Sequence, residues 1–140
     1  MTANLHTHAR HWSRGSTLVE FALVAVMLML ILFASVEFGR MLLVYTTVAN
    51  AARAGCRYAI THGSDNPASA EQIQTVVKNF LSAGPLNTTA TGLTISVNYT
   101  GAGTAPGSRV DVTVVYPYDP FTILPLNVNL GSTSSGIITF

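Results

Sequence analysis

Residues 15–36 read GSTLVEFALVAVMLMLILFASV. From Phe21 to Val36 the stretch carries no charge and no proline, and Ser35 is its one hydroxyl. From Leu18 to Val36 it is long enough to cross a bilayer as a helix. One acidic residue, Glu20, sits just inside that run. A carboxylate at membrane depth costs roughly 2.5–3.5 kcal/mol on insertion scales, so Glu20 is expected to have a task there or to lie near an interface. A secretory signal peptide is the rival reading, since Arg10 and Arg14 make a basic leader and Leu32, Phe33 and Ala34 loosely resemble a cleavage site. Against it, the apolar run is longer than a usual signal core and opens with an acid.

Composition narrows the rest. A chain of 140 residues with 9% charged residues leaves room for one modest domain beside the apolar segment. The net charge of +1 and the scatter of Arg10, Arg14, Arg40, Arg53, Arg57, Lys78 and Arg109 show no footprint for DNA or RNA. Cys56 is the only cysteine, which excludes an intramolecular disulfide and fits a small packed side chain. Basic residues flank the apolar run on both sides, Arg10 and Arg14 before it and Arg40, Arg53 and Arg57 after it, so their count does not orient it. The polar, strand-forming remainder reads as an exported domain.

No proline occurs before Pro67, and the first strong breaker is the cluster from His62 to Pro67. The spacing therefore predicts one helix from about Ser16 to Ile60, about 68 Å long at roughly 1.5 Å per residue. Glu37 and Arg40, three apart, are placed to pair at the outer membrane surface. Ser35 and Gly39 share a small-residue spacing, and Ala51, Gly55 and Ala59 repeat it as a smooth ridge, with Arg53 and Arg57 on the opposite, solvated side. That ridge suits helix packing, either between subunits of a filament or against the protein's own strands. Met27 and Met29 read as apolar bulk.

Downstream, Ser69 and Gln72 form a capping box ahead of Ile73, Val76, Val77, Phe80 and Leu81 at helical spacing, and Gly84 and Pro85 end that helix. Leu93, Ile95, Val97 and Tyr99 alternate with polar residues, as do Val110, Val112, Val114 and Tyr116, and the glycine-rich residues 101–108 join them as a hairpin. Pro117, Pro120 and Pro125 are expected to break the next stretch into an irregular crossing, and Ile137 to Phe140 to add a third, edge strand. Two strands need a covering surface, and the Ala51 to Tyr58 part of the long helix offers one. The fold class is α+β, a long N-terminal helix packed on a small antiparallel sheet of two to three strands with one short extra helix. The expected divisions are 1–15 as a leader, 16–36 as the membrane span, 37–62 as the helix beyond it, and 63–140 as a small α+β domain.

The octet R-G-S-T-L-V-E-F (residues 14–21) resembles the junction that prepilin peptidases recognise, with cleavage between Gly15 and Ser16. With V-E-F-A-L (19–23), V-E-F-G-R (36–40) and N-A-A-R-A-G-C-R-Y-A (50–59), the stretch from Gly15 to Ala59 resembles the TadE-like pseudopilins of the Tad/Flp pilus system. The valine-rich strand ending in Y-P-Y (116–118) is similar to the family's C-terminal half. The chain departs from the family at its end, where Ile137, Ile138, Thr139 and Phe140 stand in place of a strand with basic residues. The resemblance implies a pilin-like fold and a structural minor pilin cut by a prepilin peptidase, with Gly15 and Ser16 as the processing site and Glu20 and Phe21 in recognition and assembly. It further implies other pilins and the Tad inner-membrane platform as partners, beside the lipid bilayer. The expected location is a bacterial inner membrane, N-terminus cytoplasmic and C-terminal domain exported, with passage into the pilus from there.

Chemistry of other kinds leaves no trace. There is no phosphate-binding glycine loop, no H-E-x-x-H and no cysteine pair for zinc. His6, His8 and His11 fall in the leader, His62 falls in a polar loop, and Asp65, Asp111 and Asp119 lack the spacing of a carboxylate dyad or calcium loop. The expectation is therefore no enzyme, no cofactor, no metal and no small-molecule substrate.

Overall fold

A computed structural model describes residues 12–63, 65–84, 86–121 and 128–139. The chain runs α1 (Trp12–Thr61), α2 (Ala70–Ala83), β1 (Thr94–Thr100), β2 (Arg109–Tyr118) and β3 (Val128–Ile137), an α+β arrangement whose three strands form one antiparallel sheet in the order β1-β2-β3. Packing divides it into two units, one ending at Phe38 and the other beginning at Gly39.

The first unit is apolar helix. Its large side chains, from Leu18 through Phe38, are exposed, and among the described residues α1 is the helix long and apolar enough to cross a membrane. Ser35 donates its hydroxyl to the Ile31 carbonyl at 2.8 Å, one turn back, so this polar group is satisfied within the helix and is compatible with lipid. The helix begins at Trp12, four residues ahead of the expected start near Ser16. Gly15 is a weak helix former, costing about 1 kcal/mol relative to alanine, but one glycine without a proline does not stop a helix.

The second unit has a core on one face of the sheet. From α1 it takes Val44, Val48, Ala51, Ala52, Cys56 and Ala59; from α2, Ile73, Val77 and Leu81; from β2, Val110, Val112, Val114 and Tyr118. Each fully buried aliphatic side chain contributes about 1.5–3 kcal/mol by leaving water. The start of α2 is set by its capping box: the Gln72 amide donates to Ser69 Oγ at 3.2 Å, and the Ser69 amide donates to Gln72 Oε1 at 2.9 Å. Two bonds tie this helix region to β1, from Gln74 Nε2 to the Ile95 carbonyl at 3.2 Å and from the Tyr99 hydroxyl to the Ala68 carbonyl at 3.0 Å.

Two expectations about the sheet are corrected. The proline at 117 does not end β2, which continues to Tyr118 with Pro117 opposite Asn129. The last β1–β2 pair is Thr94 with Val115, so beyond that point β2 has only β3 beside it, and a residue without an amide hydrogen is tolerated. The third strand is not Ile137 to Phe140 but Val128–Ile137, of which Ile137 is the last residue. After it, Ile138 is buried and exchanges backbone bonds with Ser108 and Gly107 (2.9 and 2.7 Å). Pro125 and Phe140 lie outside the described residues.

Close approach governs the packing. A Cβ placed on Gly55 would stand 2.6 Å from Val77 Cγ2, 3.3 Å from Val112 Cγ1 and 3.4 Å from Ile73 Cγ2, so α1, α2 and β2 converge on the bare backbone of one residue. Gly136 in β3 has the matching role, with Ile60 Cγ2 and Cys56 Sγ at 2.8 and 2.9 Å from the position its Cβ would take. We expect Gly55→Ala to destabilise the folded domain by about 1–3 kcal/mol despite its better helix propensity, because the added methyl overpacks the crossing. Denaturant unfolding of the full chain in detergent checks this, and Val77→Ala added to Gly55→Ala should recover part of the loss.

Candidate functional site

The junction residues come first, because their chemistry needs access. Gly15, Ser16, Glu20 and Phe21 are all exposed on α1, and nothing lies within 4 Å of where a Gly15 Cβ would be. Ser16 and Glu20 are one helical turn apart and so share a face. Phe21, 72% exposed, begins the apolar run beside them. This geometry presents a small-residue peptide bond next to a carboxylate, followed by lipid-compatible surface.

The small residues chosen for helix packing fall into two environments. Ser35 and Gly39 are exposed, with nothing near the position of a Gly39 Cβ. Ala51, Gly55 and Ala59 are buried inside the second unit, where Gly55 receives α2 and β2. Arg53 and Arg57 stay exposed on the other side of the helix, and Arg53 reaches Asn50 Oδ1 at 3.2 Å. Cys56 is buried, and burial pushes its thiol up from the ordinary range, with a hydrogen bond to Ser134 working the other way and the charge of Asp111 adding to the rise.

A cluster that the sequence did not disclose joins the first turn of the second unit to the end of β2. Arg40 donates from Nη2 to the Asp119 carbonyl at 2.9 Å, and its guanidinium carbon lies 5.2 Å from the centre of the Tyr118 ring. The Asp119 contact joins positions separated by 79 residues, and nothing in the sequence connects residues so far apart. The nearest signal was the aromatic Y-P-Y-D segment at residues 116–119.

Elsewhere several polar groups hold the fold. His62 Nδ1 lies 2.9 Å from the Tyr58 carbonyl, and the two rings stand 4.0 Å apart, which makes this histidine a helix-end contact. His6, His8 and His11 lie outside the described residues. Among the described residues no group of three His, Cys, Asp or Glu side chains is placed to hold a metal. An open cleft is lined by Ala90, Thr91, Gly92, Pro117, Tyr118, Asp119, Val128 and Asn129, with Asp119 the one carboxylate among these lining residues. The outer sheet face carries the pair Arg109 Nε to Asp111 Oδ1 at 2.8 Å, Arg109 to Ser135 Oγ at 2.8 Å, and the hydroxyl contact Thr113 to Thr133 at 2.8 Å.

The chain thus combines a bilayer-length apolar helix, carrying Gly15, Ser16 and Glu20 near its start, with a small sheet domain whose core takes residues from later in the same helix, an arrangement that suits membrane association. A sequence model of the TadE-like protein family matches residues 15–57, so the resemblance read from V-E-F-A-L, V-E-F-G-R and the alanine/arginine segment holds over that stretch. The match spans 43 of the 140 residues and associates that stretch with the Tad pilus. No curated protein and no solved structure matches the chain.

The outer face yields a pH prediction. Hydrogen bonds from Ser135 and Arg109 hold the Asp111 carboxyl below the ordinary aspartate range. A carboxylate whose folded value is depressed contributes stability that is complete above the unfolded value, about 4, and is lost as pH falls through the folded one. Asp111→Asn is therefore expected to lower stability at neutral pH slightly and to flatten its decline below about pH 4. Unfolding midpoints measured across that window for both chains test it.

Proposed function

We propose that this chain is a minor pilin, or pseudopilin, of a Tad/Flp pilus. It enters the inner membrane with residues 1–15 in the cytoplasm, spans it with residues 16–36, and carries residues 37–62 and the 63–140 domain on the exported side. A prepilin peptidase removes the leader between Gly15 and Ser16, and the processed subunit joins other pilins on the Tad assembly platform. The observation that carries this reading is the exposed Gly15-Ser16 bond one turn ahead of Glu20, at the mouth of an apolar helix that the TadE-like match covers.

The local physics suits processing. A protease takes its substrate extended, and Gly15, near the start of α1, favours unwinding there by about 1 kcal/mol relative to an alanine. The cut exposes an amine on Ser16, four residues from Glu20. Glu20 then lies in the first turns of the shortened helix, where a carboxylate is favoured by the helix dipole. In an assembly the Ser16 amine of one subunit can meet the Glu20 carboxylate of another. Two charges in low dielectric attract strongly but lose hydration, so the pair serves registry more than net stability.

An uncleaved single-pass protein whose exported domain binds an envelope or secretion partner is the second reading, favoured by the size of a sheet domain that packs independently of the apolar unit. Intact mass and N-terminal sequence, with and without the cognate peptidase, separate the two. A peptidase-dependent start at Ser16 is the expected result, and a start at Met1 or Thr2 in both would sink the pseudopilin reading. Glu20→Ala is expected to leave membrane insertion unchanged while reducing recovery of the subunit in sheared pili by about tenfold or more, because the Ser16 amine of a neighbouring subunit is then left uncompensated in low dielectric.

A further inference from the structure

Among the described residues the two edges of the sheet, β1 and β3, differ in what lies beside them. On β1, the Ile95 carbonyl accepts from Gln74 Nε2, so α2 holds that edge. On β3, the bond just past its end fixes the direction of the backbone. The Ile138 amide donates to the Ser108 carbonyl at 2.9 Å, which turns the polar backbone groups of residue 138 toward β2. These groups alternate sides along a strand, so those of Ser132, Ser134 and Gly136 also point to β2, while those of Gly131, Thr133, Ser135 and Ile137 point outward. Among the described residues no strand lies beyond them. Nor does β3 carry the usual protection of an edge. Its ten residues include no charge and no proline, and its register with β2 runs unbroken from Val128 to Ile137 without a bulge.

The part of α1 inside this unit says what would fit there. Arg40 is bound to the Asp119 carbonyl at the end of β2 where β3 begins, and Cys56 and Ile60 lie against Gly136 near the end of β3, so the helix follows β3 in the same direction. Tyr45, Ala49, Ala52, Cys56 and Ile60 recur at three- and four-residue spacing and share the side that Cys56 turns to β3. Ala52 and Cys56 are buried, Ala49 and Ile60 are half-buried, and Tyr45 is exposed. The inward residues of β3, Leu130, Ser132, Ser134 and Gly136, are half-buried as well. A strand laid beside β3 would therefore turn its inward side chains onto an apolar helix flank, past β3 residues too small to fill the space themselves.

We infer that residues 131–137 of β3 are an acceptor edge for one strand of a different polypeptide, an amphipathic strand with bulky aliphatic side chains at alternate positions toward α1 and polar ones toward water. Backbone bonds supply the attachment, and the aliphatic positions supply the selectivity. A second copy of the chain does not fit. Antiparallel pairing of two β3 strands about a two-fold axis reverses one helix relative to the other, which two chains anchored in one bilayer cannot satisfy. Parallel pairing about a two-fold axis sets the outward residues of both strands level, whereas a parallel ladder needs them staggered by one residue. Only the antiparallel exclusion rests on the membrane anchor of the proposed function; the acceptor edge is independent of the anchor and of leader cleavage.

The probe is a synthetic peptide copying residues 109–115, whose Val110, Val112 and Val114 already face the core beside β3 in the native sheet. Its control is the same peptide methylated on the amide nitrogens of Asp111 and Thr113, which would bond the outward groups of β3. Amide hydrogen exchange is followed residue by residue in the full chain, held one copy per lipid nanodisc. Without peptide, the amides of Thr133, Ser135 and Ile137 are expected to exchange faster than those of Ser132, Ser134 and Gly136. The peptide is expected to slow the first set by roughly tenfold or more, and the methylated control to leave it unchanged. No slowing, or equal slowing by both peptides, overturns the inference. Outward amides already protected without peptide show that the chain covers its own edge, and protection that grows with the number of copies per disc assigns the edge to a second copy; either result overturns it. Thr133→Pro removes an outward amide that no bond to β2 uses, and Ser132→Lys places a charge on the inward side of the edge. Each variant is expected to abolish the slowing by the peptide while Ser134 and Gly136 stay protected; slowing that survives in a folded variant overturns the inference, and Ser132→Lys decides if the proline variant does not fold.

Discussion

The convergence at Gly55 is the constraint on which the rest of the domain depends. Three elements, α1, α2 and β2, meet where one residue has no side chain, and any carbon there would collide with Val77. Because interiors are packed to crystal-like density, this approach sets the distance at which both helices lie on the sheet. Ala51, Ala52 and Ala59 extend the same smooth surface along α1, and Gly136 repeats the device from the strand side against Cys56 and Ile60. The sheet is then covered on one face by two helices, while its Thr-, Ser- and Asn-bearing face remains toward water.

This arrangement lets α1 serve two solvents. Its first unit presents bulky Leu, Val, Phe, Ile and Met side chains outward in every direction, which suits lipid, where all sides of the helix are alike. Its later turns present a narrow stripe of small and β-branched residues to a core and arginines to water. The change occurs around Gly39 and Arg40 without a break in the helix. Arg40 marks it chemically, since its guanidinium is bound to the Asp119 carbonyl and the Tyr118 ring.

Much of the architecture was legible because it is written in local patterns. The capping box at Ser69 and Gln72, the helical spacing of Ile73, Val77 and Leu81, and the two-residue alternation in β1 and β2 each reflect one element's exposure to one boundary. The third strand escaped because, beyond Leu130, its inward residues are Ser132, Ser134 and Gly136, which lack the bulk of a buried strand. Their smallness answers α1, a neighbour remote in sequence. Pro117 was misread for a related reason: whether a strand tolerates proline depends on whether another strand lies beside it at that point.

The sequence by itself determined the apolar run, the Gly15-Ser16-Glu20 junction, the TadE-like motifs and the α+β class, since each depends only on composition or on spacing within one element. Tertiary structure decided how the ridge at Ala51, Gly55 and Ala59 is filled, where β3 lies, and that Arg40 reaches Asp119 and Tyr118. Those are choices among groups tens of residues apart, made by fit and by hydrogen-bond geometry once the chain has closed on itself. A local pattern states what a surface can accept, and only the folded chain shows what meets it.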